Sequence, residues 1–83
     1  DPEVVLLDEP TEGLSPIMVE SLESVILQTA ERNAAILLVE SKLSVALRLA
    51  DEIYILWKGE TIYAGTPEQV NSNEKLRRDY LEI

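Results

Sequence analysis

Apolar residues gather along this chain in short runs, separated by stretches where they recur at helical spacing. The first run, Val4-Val5-Leu6-Leu7, is bounded by Pro2 and by Asp8-Glu9-Pro10, which predicts a strand buried on both faces. A turn-rich connector, Thr11-Glu12-Gly13-Leu14-Ser15-Pro16, follows. Ser15 is a good N-cap, and Pro16 at the first helical position gives up an N–H that no helix would use. Ile17, Met18, Leu22, Val25, Ile26, Thr29 and Ala30 then predict a helix from about Pro16 to Arg32, stopping near Asn33. Glu20, Glu23 and Glu31 fall on its solvated face. Ala35-Ile36-Leu37-Leu38-Val39 predicts a second buried strand, and strand–helix–strand at this length implies a right-handed parallel crossover.

Beyond it, a shorter helix is expected to start at Ser41 or Lys42, with Leu43, Ala46, Leu47 and Ala50 on one face. Ile53–Trp57 and Glu60–Ala64 flank Lys58-Gly59, the pattern of a β-hairpin around a two-residue turn. Thr66-Pro67-Glu68-Gln69 has the form of a capping box, and a last amphipathic helix is expected over roughly Asn73 to Leu81. The fold class is α/β: a parallel strand–helix–strand, a β-hairpin and C-terminal helices.

Composition narrows the chemistry. The 83 residues contain no Cys and no His, which excludes disulfides, thiolate or imidazole metal sites, and Ser-His or Cys-His catalysis. Acid–base work is left to carboxylates, Lys or Tyr. Sixteen acidic against seven basic residues give a net charge of −9, which repels phosphate backbones, so no nucleic-acid partner is expected. At 46% hydrophobic the chain is too apolar for a disordered acidic tail. Its longest apolar run, Ala34 to Val39, falls far short of the ~20 residues that span a bilayer. An opening of Asp1-Pro2-Glu3 is not a signal peptide, and an intracellular setting is expected. A chain this size makes one small domain whose stability is marginal without a partner.

Chemistry concentrates where the first run ends. At the carboxyl end of a parallel strand, side chains project into the crevice where open α/β sheets bind ligands. Alternation along the strand points Asp8 and Glu9 in different directions. One can support Mg²⁺ and the other can orient or deprotonate a water for attack on a γ-phosphate. Two acids before a proline also simply start a turn, and these residues alone leave both readings open.

The wider sequence brings in a family. VVLLDEPTEGLSP resembles the Walker B strand and D-loop of ABC transporter ATPase subunits. At the matching distance, LLVES-KLSVALRLADEIYILWKGETIYAGTPEQV looks like that family's switch-loop strand, helix and C-terminal hairpin. The likeness runs to the final DYL and so covers essentially the whole chain. Glu12-Gly13-Leu14-Ser15-Pro16 and the tail NSNEKLRRDYLEI look most like the branch that serves branched-chain amino acid and urea-type importers.

The resemblance implies a partial P-loop NTPase core spanning residues 1–83. Asp8 matches the Walker B Asp, which supports Mg²⁺ through water, and Glu9 matches the general base. Glu12, Gly13, Leu14 and Ser15 match the D-loop that passes between two ATPase subunits, with Ser15 where many members have Asp. Ser41 stands where most members carry the switch His that contacts the γ-phosphate. That branch often has Gln there, and Ser reaches less far than either, so Ser41 is expected first as an N-cap. Trp57 and Tyr63 are expected to pack the hairpin rather than stack on a base.

The resemblance further implies ATP and Mg²⁺ in the intact subunit, with neither bound by these 83 residues alone. Its partners would be a second ATPase subunit and transmembrane permease subunits, on the cytoplasmic face of the inner membrane. The importer's solutes would be branched-chain amino acids, urea or related small polar molecules. No G-x-x-x-x-G-K-[ST] loop and no LSGGQ-type signature occur in the chain. The expectation is therefore a C-terminal segment cut just before Walker B, inactive by itself. In the family's sheet the phosphate-loop strand separates the strands matching Ala35–Val39 and Ile53–Trp57. Without it, a homo-oligomer is expected, or else a collapse that sets Ile53–Trp57 beside Ala35–Val39. The alternative function is a stand-alone, non-catalytic dimerisation module.

Overall fold

A computed structural model describes residues 3–32 and 34–81. The chain divides into two compact units, Asp1–Val45 and Ala46–Ile83.

The first unit holds β1 (Glu3–Asp8), α1 (Pro16–Ala30) and β2 (Ala34–Val39). β1 and β2 pair in parallel, in a register that runs from Glu3 opposite Ala34 to Asp8 opposite Val39. The Glu9 N–H donates to Val39 O at 2.7 Å and carries the contact one residue past the strand. Ser15 caps α1 as its sequence predicts: its Oγ accepts the Met18 N–H at 3.3 Å, with Pro16 in the first turn. Helix α1 ends at Ala30, and Asn33, the expected stop, lies outside the described residues.

Two expectations for this unit fail. The strands are covered on one face, not two: α1 lies against β2, while Val4, Leu6, Leu37 and Val39 are exposed at 78%, 65%, 60% and 46%. Alternation explains the split, because these four share a face and Val5, Leu7, Ile36 and Leu38 share the half-buried one. The covered stripe of α1 is also rotated from the expected one. It consists of Val19, Leu22, Glu23, Ile26 and Thr29, whereas Ile17, Met18 and Val25 face outward. Glu23, expected in solvent, is buried and engaged. Hydrophobic spacing found the helix but not the face it buries.

A short helix, α2 (Leu43–Leu49), follows, with Val45 its most buried residue. The second unit carries β3 (Ile53–Trp57) and β4 (Glu60–Gly65), an antiparallel hairpin with a register shift between Ile55 and Leu56. Its turn residues Lys58 and Gly59 both have positive φ, 50° and 82°, the signature of a type I′ turn. β3 and β4 form a two-stranded sheet of their own. Ile53 and Ile55 are buried; Tyr54 and Leu56 point to solvent.

The capping box forms as expected. Thr66 Oγ1 accepts the Gln69 N–H at 3.1 Å, and Gln69 Oε1 accepts the Thr66 N–H at 2.9 Å, at the start of α3 (Pro67–Ser72). The helix expected over Asn73–Leu81 starts as α4 (Glu74–Leu76) and passes directly into a π-helical turn, Arg77–Leu81. Asn73 separates it from α3: its backbone leaves the helical region, at φ −88° and ψ 89°, and its Oδ1 caps α4 through the Leu76 N–H at 3.0 Å. Trp57 packs edge-to-face on Tyr80, ring centroids 5.3 Å apart, a packing role rather than an open stacking platform.

Candidate functional site

The candidate residues of the first unit meet where the two parallel strands end. Asp8 is the last residue of β1 and is exposed. Glu9 follows in the left-handed region, at φ 50°, a conformation that costs a side-chain-bearing residue ~1–2 kcal/mol. Strain of this kind is held only where the surroundings fix it, and it clusters at functional sites. Two bonds fix it here. The Glu9 N–H is tied to β2 through Val39 O, and its carbonyl accepts the Glu12 N–H at 3.2 Å. The twist turns the Glu9 carboxylate toward the end of β2, where Oε2 accepts the Ser41 hydroxyl at 3.2 Å.

Ser41, expected as the cap of the helix that follows, lies two residues ahead of α2, and its hydroxyl is donated to Glu9. It stands 32 residues from Glu9 in sequence and in hydrogen-bond contact with it in space. The N–H just ahead of α2, that of Lys42, is instead taken by Glu40 Oε2 at 3.1 Å. In the connector, Gly13 supplies a positive φ of 79° next to the bond from the Leu14 N–H to Thr11 O, 3.1 Å. Glu12, Gly13 and Ser15 are exposed and Leu14 is half-buried, so this loop presents an open surface.

Three further residues hold the site together. Thr11 is fully buried and donates its hydroxyl to Glu40 Oε1 at 2.8 Å. Lys42 Nζ donates to Thr11 O at 3.4 Å. Glu40 and Lys42 carry no sequence signal of their own; they matter because the parallel register brings the ends of β1 and β2 level.

The donor set suits one kind of ion. Among the described residues no three His, Cys, Asp or Glu side chains gather into a metal cluster. Mg²⁺ asks for less, since it is commonly held by one or two carboxylates with waters and substrate phosphates completing its shell. An exposed carboxylate at a strand end, Asp8, fits that arrangement.

No protein-family profile matches the chain. Individual proteins do. The chain is 35% identical to the lipopolysaccharide export system ATP-binding protein LptB of Haemophilus influenzae, covering 98% of the chain and 34% of that protein. It is 36% identical to the high-affinity branched-chain amino acid transport ATP-binding protein LivG of Escherichia coli, covering 96% and 32%. The high-affinity branched-chain amino acid transport ATP-binding protein BraG of Pseudomonas aeruginosa is also 36% identical, with coverage of 96% and 34%. In fold the chain resembles CbiO1 of Clostridium perfringens, part of the ABC transporter complex CbiONQ, with a TM-score of 0.73. That likeness carries 22% identity and covers 95% of the chain and 34% of CbiO1. The chain thus spans about a third of the length of the relatives it matches. Over that stretch its homologues are the ATP-binding proteins of ABC transporters, branched-chain amino acid transport proteins among them.

Proposed function

We propose that these 83 residues form the water-activating edge of an ATP-hydrolysing ABC subunit that drives solute import, with branched-chain amino acids or related small polar solutes as cargo. The observation that carries this reading is Glu9: a strained carboxylate at a parallel strand end, facing the loop of the neighbouring strand through Ser41. In this reading Glu9 accepts the proton of the attacking water, and Ser41 holds its carboxylate in line from the Oε2 side. Asp8 supports the metal through water. Bound Mg²⁺ would neutralise charge developing on the phosphates. The exposed Glu12–Ser15 loop faces a second ATPase subunit, and permease subunits complete the transporter on the cytoplasmic face of the membrane. No described helix is long and apolar enough to cross a membrane.

Without a phosphate-cradling G-x-x-x-x-G-K-[ST] loop, the 83-residue chain alone neither binds nor hydrolyses ATP to a useful extent. The second reading, a non-catalytic association module, draws on the bare apolar face of β1 and β2. A pair of substitutions in the intact subunit separates the two. Asp8→Asn weakens Mg²⁺ dependence and nucleotide binding together, whereas Glu9→Gln stops turnover and spares binding. If neither changes hydrolysis, the catalytic reading falls and the association module stands.

A further inference from the structure

Thr11, Glu40 and Lys42 form a closed circuit that no step of the proposed chemistry uses. The Thr11 hydroxyl donates to one oxygen of Glu40, 2.8 Å away. The other Glu40 oxygen accepts the Lys42 backbone N–H at 3.1 Å. The Lys42 ammonium returns to the Thr11 carbonyl at 3.4 Å. The same carbonyl accepts the Leu14 N–H, so the circuit also grips the connector after β1. Thr11 is fully buried, and a buried hydroxyl left without its acceptor costs ~1–3 kcal/mol, so this contact is held firmly.

We propose that this circuit is a clasp that locks the loop after β1 to the loop after β2, and that Thr11 and Glu40 are positioning residues for Glu9. Ser41 lies between Glu40 and Lys42, both of them in the clasp; Glu9 lies two residues before Thr11. Fixing the flanks fixes the 3.2 Å bond between Ser41 and Glu9. The consequence for catalysis rests on the proposed role of Glu9, while the clasp itself does not. A misplacement of about 1 Å in a reacting group costs on the order of 10² in rate, so a loosened clasp would show in turnover before it showed in binding.

The clasp is read directly in the 83-residue chain by backbone NMR order parameters at Ser41 and Lys42. Wild type and Thr11→Ser, which keeps the hydroxyl, should give values near ~0.85, the rigid range, and Thr11→Val should fall below ~0.6. Should the Val variant not fold, Glu40→Ala, which removes both acceptor oxygens, should loosen the same two residues. Unchanged order in Thr11→Val or, where that variant does not fold, in Glu40→Ala overturns the clasp, as does a Thr11→Ser variant as loose as the Val one. In the intact subunit, Thr11→Val should lower kcat about tenfold or more with KM for ATP within about twofold, and should add nothing further to Glu9→Gln. An additive loss on the Glu9→Gln background overturns the positioning role. Full turnover in Glu9→Gln removes the catalytic reading and leaves the order-parameter result standing.

Discussion

At the scale of single residues, Glu9 joins strain to chemistry. Its φ of 50° is the kind of backbone that glycine adopts freely, yet a carboxylate occupies it. Comparing Glu9→Gly with Glu9→Ala isolates that strain, because both lose the carboxylate and only one keeps a Cβ. The Gly variant should be the more stable by about 1 kcal/mol in denaturant titration, and equal midpoints would mean that the left-handed conformation is not retained. Tyr54 offers a second residue-scale test. Its hydroxyl donates to Glu52 Oε1 at 2.8 Å, and that bond, together with the nearby negative charge, raises the phenol above its ordinary value of 10.0. A pKa raised by folding means that the bond's contribution is complete below about pH 10 and fades as pH climbs through the folded value. The phenolate absorbance that Tyr54→Phe removes should therefore appear later in an alkaline titration than that of a free tyrosine. Glu52→Ala should bring it back, and no movement would show that the bond does not form.

At the scale of elements, turn chemistry decides the hairpin. Lys58 holds φ 50° in the type I′ turn, a position that suits Asn far better, and its ammonium sits 5.9 Å from the Trp57 ring centroid. An exposed cation–π contact is worth ~0.5–1 kcal/mol, comparable to the strain that Asn would relieve and screened by salt. In high salt Lys58→Asn should therefore raise the thermal midpoint by a few degrees, and a fall there would show that the turn is not type I′. Elements of this local kind were legible in the sequence. Ser15 with Pro16, Lys58-Gly59, and Thr66 with Gln69 each act over two to four residues, and all three form as their patterns predict. What escaped depends on tertiary placement. The stripe of α1 that is buried, with Glu23 in it, is set by how the helix lies on β2. Ser41 reads as a cap until parallel pairing brings it level with Glu9, and the Thr11–Glu40 bond spans 29 residues with no local trace.

At the scale of the whole molecule, a chain of net charge −9 leaves Val4, Leu6, Leu37 and Val39 open on one sheet face. Contiguous apolar surface of this kind marks a face that another surface covers. Within the proposed reading, the rest of an ATPase subunit would do so. In its absence a second copy of the chain should, and sedimentation at micromolar concentration is expected to show an oligomer. A stable, monodisperse monomer would mean that the face tolerates water. The larger claim is that the strand end at Asp8 and Glu9 activates water against ATP, and one measurement addresses it most directly: steady-state ATP hydrolysis by the intact subunit carrying Glu9→Gln, with nucleotide affinity measured alongside. The amide keeps the shape and cannot take the proton, so turnover should fall by ~10²–10⁴ while ATP affinity stays within a few-fold of wild type. Turnover within about threefold of wild type would contradict the assignment of Glu9 as the base.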